Sequence, residues 1–401
     1  MSNPGILIVT EVFFPEEFNI NDVALQWKSR GYDVGVLTVV PTYPESVVFD
    51  GYQNKFYQKE IWQGINIYRV KSVTGYSKSL IKKLLKYFVF MIGGTVAALF
   101  LGKKYDCVLG FNTGPLTAML PVIVVRKLYK KPVTLWTQDV WPDSVYAYGF
   151  KKNKILSFFL NKFVKFVYQN IDNIAISCKG FESKLQLYVK NDLIFNYLPN
   201  WAINLDMSLN PERLSKSTRV HFTFTGNIGK VQNLENIIKA FNDLNEELSK
   251  VAQLNIIGDG SELKKLKAIS ATDNIIFYGR RPRSEMIKYY KASDFLIISL
   301  IDKPIFSVTV PGKFQTYISA KKPILAIING DTADIVKDNN LGLVANPSDI
   351  KSIKNIFIKA IGTDKDVLVE FTKNCDRLSQ GVFNKDVIID RLLNLTIRSS
   401  L

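Results

Sequence analysis

Short apolar blocks recur along this chain, each followed by a polar loop rich in glycine or proline and then by a stretch with helical spacing. In the first half, the blocks at residues 5–9, 34–40, 67–70, 107–110, 133–137 and 173–177 predict strands. Residues 21–29, 82–101, 117–129, 155–168 and 181–188 carry helical periodicity between them. Strands that are apolar on both faces and alternate with helices mark a parallel sheet covered on both sides. The pattern breaks at residues 198–214, where Pro199, Asn200, Asn204, Asn210 and Pro211 crowd together. It then restarts, with strands expected at 220–225, 253–257, 275–277, 295–299 and 323–327 and helices at 234–248, 261–271, 284–292, 313–319 and 350–361. The expected fold class is α/β, with two doubly wound sheets facing across a cleft. Residues 1–198 form the first domain and 199–364 the second, while the mostly helical residues 365–401 pack back on the first. In such sheets ligands sit outside the carboxyl ends of the strands.

The loops at those ends carry the candidate chemistry. Residues 223–230 read TFTGNIGK: a strand, a glycine-containing loop, and Lys230 at the mouth of a helix. Unpaired N–H groups at a helix start point outward, and small residues let an anion approach them. Further strand ends in that half are GDG at 258–260, GRRPR at 279–283 and DKPIFSVTVPGKFQ at 302–315. Lys230, Arg280 and Lys313 are expected to converge on one diphosphate, for which charge-assisted bonds are the strong ones. A lone lysine is more often a solvated surface charge, so the argument rests on the four strand ends together. The DTAD at 331–334 starts another helix and either faces a ribose or caps it. In the first half, Asp139 lies in the loop QDVWPDS after a strand and is either an active-site group or a turn cap. The single histidine, His221, reads as an edge or hinge residue rather than a catalytic one.

Length and charge refine this picture. A chain of 401 residues needs two cores, and an apolar fraction of 47% is ordinary for a globular protein. A net charge of +16 is not ordinary and favours anionic partners. The three cysteines, Cys107, Cys178 and Cys375, are widely spaced, which suggests a reducing compartment. No His/Cys cluster suits zinc, and the N-terminus lacks a signal-peptide pattern. From Lys78 to Lys104 there are six lysines and no acid, flanking the sixteen largely apolar residues 87–102. That block is short for a spanning helix, so it either lies along a membrane surface or packs as a core helix. Residues 151–165, from Lys151 to Lys165, repeat the lysine–aromatic pattern with Ile155, Phe158, Phe159, Lys162, Phe163 and Phe166.

Several stretches together resemble the family 4 retaining glycosyltransferases of GT-B fold. They are ILIVTEVFFPEEFNIND, VVPTYPES, NTGPLTAMLP, LWTQDVWPDS, YLPNW, FTGNIGKVQNLENII, IIGDGSELKKL, FYGRRPRSEM and DKPIFSVTVPGKFQTYISAKKPIL, which span nearly the full length. Within that family the chain is similar to bacterial enzymes that build O-antigen or capsule repeats, especially L-N-acetylfucosamine transferases. The resemblance implies a UDP-sugar donor held by the second domain, with Gly226, Asn227, Lys230 and Lys313 on the diphosphate. Gly258 and Arg280 lie near the base or phosphate, and Pro311, Gly312 and Gln315 near sugar and phosphate. Asp139 places the donor sugar or the acceptor hydroxyl, and Glu16 and Asn19 line the acceptor side. The implied acceptor is a polyprenyl-diphosphate-linked saccharide at the cytoplasmic face of the bacterial inner membrane, whose anionic surface meets the first domain's lysines. No metal is expected. Many members carry two glutamates where this chain has Val308 and Thr316, so the usual donor-sugar glutamate is missing and Lys313-x-Gln315 reads as a variant site.

Three rival readings remain. A UDP-sugar 2-epimerase of related fold has no use for two lysine–aromatic helices. Nucleic-acid binding is suggested by charge alone, with no recognition module. A dehydrogenase needs a G-x-G-x-x-G after the first strand, and residues 11–21 have none.

Overall fold

Side chains that alternate little in polarity build two parallel sheets in a computed structural model, which describes residues 3–147, 152–203, 205–206, 208–212, 214 and 219–397. Lys151, Asn204 and the side chain of Lys78, named above, lie outside that description. The chain divides into two compact units: one runs up to Pro199 and resumes at Ile388, and the other is Asn200–Val387.

The first unit holds strands β1 (Gly5–Val9), β2 (Asp33–Val39), β3 (Tyr57–Trp62), β4 (Ile65–Val70), β5 (Cys107–Asn112), β6 (Val133–Thr137), β7 (Asn173–Ile176) and β8 (Phe195–Tyr197). Their order across the sheet is β3-β4-β2-β1-β5-β6-β7-β8, parallel except for the β3–β4 hairpin. Every residue of β1, β5 and β6 is buried, as expected for strands with helices on both faces. The second unit holds β9 (Val220–Thr225), β10 (Ala252–Ile257), β11 (Ile275–Gly279), β12 (Phe295–Ser299), β13 (Ile324–Ile327) and β14 (Gly342–Ala345), in the order β11-β10-β9-β12-β13-β14 and wholly parallel. Apart from the β3–β4 hairpin at one edge, the strand order reverses between β1 and β5 in the first unit and between β9 and β12 in the second. Such a switch point opens a crevice at the carboxyl ends of the two strands.

Several expectations shift. The single helix expected over 234–248 is two, Leu234–Asn242 and Glu246–Val251, because Asn245 caps the second through its side chain. The tail expected to be one segment divides as well. Helix Lys365–Gln380 packs in the second unit through Phe371 and Cys375. Helix Lys385–Ile397 packs on the first, where Ile389 O accepts from Trp27 Nε1 (3.4 Å) and Leu395 O from Asn173 Nδ2 (3.0 Å). His221 is neither edge nor hinge: it is 6% exposed in β9, a central strand paired on both sides. The three cysteines are free and buried.

Candidate functional site

The second unit's switch point gathers the phosphate-binding candidates. Beyond β9 the chain turns at Gly226, whose φ of 113° suits glycine, and lies against the loop after β10. A Cβ on Gly258 would sit 1.8 Å from the Gly226 carbonyl oxygen, so only glycine lets the two loops touch. The Gly226 and Ile228 amides donate to Ile257 O and Asp259 O, each at 2.8 Å. The expected diphosphate donor at the Gly226 N–H is therefore already engaged, and what Gly226 supplies is space. That space lies against Lys313, whose Cε would be 2.9 Å from a Cβ at Gly226.

Lys313 stands in the first turn of helix Gly312–Ser319, with Pro311 at its N-cap. Its Nζ donates to Gln232 Oε1 (3.0 Å) and lies 3.7 Å from the centre of the Phe224 ring. Burial alone pulls its amine down to about 7, because no carboxylate stands beside it to hold the charge. A cavity of about 520 Å³ opens over the same loops, lined by Gly226, Asn227, Gly258, Arg280, Arg281 and Arg283 among others. Arg280, singled out in the sequence, is among the lining residues. Arg281 and Arg283 were legible in the same GRRPR but were not singled out, and Tyr290, also in the lining, had no signal beyond a helical apolar position. Lys230 begins the turn Lys230–Gln232 and is exposed, outside the residues lining the cavity. Gln315 is 4% exposed, and its amide nitrogen faces the Pro311 and Gly312 carbonyls at 3.1 Å, so it braces the turn that carries Lys313. Val308 and Thr316, at the positions of the usual glutamates, place no charge there.

In the first unit, the buried Glu16 carboxylate accepts from the Thr42 and Tyr43 amides at 2.9 and 2.7 Å. It pins the loop after β2 to the loop after β1. Asn19 sits in the first turn of helix Asn19–Ser29. Asp139 accepts from the Val140 amide (2.9 Å), while its Oδ2 is enclosed without a partner. Burial pushes its carboxyl up to about 6, against hydrogen bonds from Ser144 and Val140. Glu11, not singled out in the sequence, is 6% exposed at the end of β1, and burial pushes it up to about 7. Lys86 lowers that value through space and Glu16 raises it.

Residues 208–377 match the family described as glycosyl transferases group 1. Over that span the chain is similar to a group 1 glycosyltransferase domain. It is a transferase of GT-B fold, built from two Rossmann-like units. A probable glycosyltransferase, WbjE of Pseudomonas aeruginosa, is 25% identical over 281 residues, covering 67% of this chain and 68% of that one. Among solved structures, WaaG, a glycosyltransferase involved in lipopolysaccharide biosynthesis, aligns with a TM-score of 0.60 at 14% identity over 98% of this chain and 99% of its own. HepE of Anabaena, in complex with UDP and glucose, aligns with a TM-score of 0.63 at 12% identity over the whole of both chains.

The first unit of this glycosyltransferase also presents two apolar helix faces. Helix Leu80–Leu101 is 22 residues long with a mean hydropathy of 2.0 in its most apolar window, long and apolar enough to cross a membrane by length and composition. The sequence reading expected this helix from residue 82 but measured only the sixteen residues between the lysines against a membrane's thickness; the helix begins at Leu80 behind a Ser79 cap. One side packs inward: a Cβ on Gly94 would lie 3.0 Å from Pro121, and one on Gly93 3.3 Å from Val70. The outer side exposes Ile81, Leu85, Phe88, Ile92, Val96 and Phe100. Lys86 does not join that side. It is buried, with Nζ 4.6 Å from the centre of the Tyr76 ring. Helix Lys154–Tyr168 exposes Ile155, Phe158, Phe159 and Phe166, with Lys162 over the Phe158 ring at 4.5 Å.

Proposed function

We propose that this glycosyltransferase moves a sugar, an N-acetylated amino sugar such as L-N-acetylfucosamine, from a UDP-sugar to a polyprenyl-diphosphate-linked saccharide in O-antigen or capsule synthesis. The observation that carries the donor half is Lys313, a half-buried amine with no carboxylate beside it, packed against Gly226 of an arginine-lined cavity. A diphosphate supplies the missing charge. As the bond from the anomeric carbon to the UDP oxygen breaks, charge grows on that oxygen, and Lys313 with the arginines steadies it. The acceptor oxygen bonds to the same face of the anomeric carbon, with retention, and its proton leaves with UDP. These cations stand where other phosphoryl sites use a divalent ion, so the reaction runs without metal.

The lipid-linked acceptor gives the exposed apolar faces a use. Lys82 and Lys83 flank one face and Lys162 the other, a combination that suits the anionic cytoplasmic leaflet of a bacterial inner membrane. WaaG, one of the structures of the same fold, is involved in lipopolysaccharide biosynthesis, and a role in surface polysaccharide is in keeping with that. The test is transfer of label from a panel of radiolabelled UDP-sugars into the organic phase of a lipid extract, with and without EDTA. Label is expected in lipid, unaffected by EDTA, and Lys313→Ala is expected to cut the rate about 100-fold or more. Failure of every UDP-sugar to label lipid would sink the reading, and a wild-type rate in Lys313→Ala would remove that residue's role.

A further inference from the structure

One cavity of the first unit lies away from the carboxyl ends of its strands. It has a volume of about 540 Å³ and is lined by Arg126, Lys127, Lys130, Lys131, Asn170 and Asp172. Residues 126–131 lead from the last turn of helix Leu120–Tyr129 toward β6, and Asn170 and Asp172 lead from helix Lys154–Tyr168 toward β7. β6 and β7 pair in parallel, so the cavity sits at their amino ends. Transfer chemistry belongs to the opposite edge of such a sheet, which leaves this cavity without a part in it.

Four cations face a single carboxylate there, and that carboxylate is already engaged. Arg126 holds both oxygens of Asp172, with Nε 3.1 Å from each and Nη2 2.7 Å from Oδ1, while the Val133 amide donates to Oδ2 at 3.0 Å. Lys131 reaches Asp106 at 3.4 Å. Among the described residues no carboxylate pairs with Lys127 or Lys130. Lys130 also stands at φ 56°, a left-handed conformation that usually falls to glycine after a helix, as it does at Gly31 with φ 84°. The carbonyl ends of the two helices hold part of this positive charge. The surplus over Asp172 suits an anion that brings its own charge into the cavity.

The surroundings say which anion. Lys127 Nζ lies 4.9 Å from the centre of the Phe166 ring, the last exposed ring on helix Lys154–Tyr168. Tyr129 packs against the end of helix Leu80–Leu101: its hydroxyl donates to Leu99 O, and a Cβ on Gly102 would collide with its ring. Leu128 stands exposed between the lysines, and the exposed Phe100 ends the apolar face of helix Leu80–Leu101. Both apolar helix faces thus run down to the cavity. A phosphate joined to acyl chains meets cations and apolar side chains together, which a free anion does not.

We propose that this cavity binds the phosphate of an anionic phospholipid headgroup. This rests on the membrane-surface reading above and gives that surface a defined lipid site. Lys127 and Lys130 hold the phosphate oxygens, while Leu128, Phe100 and Phe166 meet the acyl chains. Lys82 and Lys83 lie at the start of helix Leu80–Leu101 and the cavity lies beyond its end, about 33 Å away for 22 residues. One leaflet touches both only where the helix lies flat along it, so this helix does not cross the bilayer.

The test is titration calorimetry of the full chain with dihexanoyl phosphatidylglycerol below its micelle-forming concentration, with inorganic phosphate alone, and with UDP. The wild-type protein is expected to bind one equivalent of the short lipid. Lys127→Gln with Lys130→Asn is expected to weaken it about tenfold or more. Lys103→Gln with Lys104→Gln, exposed lysines outside the cavity, should leave it unchanged. Wild-type melting and UDP binding in both variants report an intact fold. No binding of the short lipid, equal loss in both variants, or inorganic phosphate bound as tightly as the lipid would overturn the proposal. Absence of wild-type binding to phosphatidylglycerol vesicles would strike the membrane reading itself, whereas vesicle binding that the cavity variant leaves at full strength would strike this site alone.

Discussion

Glu11 shows at the scale of one residue what burial does to a carboxyl group. Its carboxyl ionises near 7 in the folded chain and at about 4.3 when unfolded. Between those values the folded protein binds more protons, so stability falls as pH rises through the window, and the whole cost is present above it. Glu11→Gln is therefore expected to raise the melting temperature by a few degrees at pH 8 and to leave it nearly unchanged at pH 4. An unchanged midpoint at pH 8 would mean that Lys86 offsets the burial. The glycines were legible in the sequence as places for close approach, and they are, but for Gly258 the close neighbour is the Gly226 carbonyl. Glu16 was singled out through the resemblance, as lining the acceptor side, yet its partners, the Thr42 and Tyr43 amides, come from another loop. Nothing in a linear sequence distinguishes a carboxylate consumed by the backbone from one with an unpartnered oxygen five residues earlier.

Elements follow the sequence where one face decides them. Strands β1, β6, β9 and β12 begin and end where their apolar runs do. The strands not anticipated are β3, β8 and β14, all at sheet edges: polar positions interrupt β3 and β8, and β14 is only four residues long. Helix Leu80–Leu101 was legible, but its division into faces was not, since lysines 82, 83 and 86 look alike in sequence and only Lys86 turns inward. The outer face makes a sharp prediction. Ile92→Glu with Phe100→Glu should cut co-sedimentation with anionic vesicles severalfold and leave UDP binding unchanged. Lys82→Ala with Lys83→Ala should weaken it in a salt-dependent way. Vesicle binding that ignores both pairs would return this helix to an ordinary surface role.

Across the whole molecule, two doubly wound sheets were readable because a break rich in proline and asparagine separates two runs of βα units, while the antiparallel β3 at the edge of the first sheet was not. The last helix was expected on the first unit as part of a longer segment, and the structure assigns it only residues 388 onward. Truncation after Asn384 is expected to speed hydrogen exchange in helix Asn19–Ser29, where Trp27 loses its Ile389 carbonyl, while helix Leu234–Asn242 keeps its protection. Equal protection of both helices in the shortened chain would show that the final helix is dispensable.

The half-buried amine of Lys313 has a calorimetric consequence. Near pH 8 an amine that titrates at about 7 is mostly neutral, and an arriving diphosphate draws a proton onto it from the medium. The heat of UDP binding should then depend on the buffer, differing between Tris and phosphate by the ionisation enthalpy of the buffer for up to one proton. The affinity should fall as the solution is made more alkaline, and Lys313→Arg should abolish both effects, because a guanidinium stays charged throughout that range.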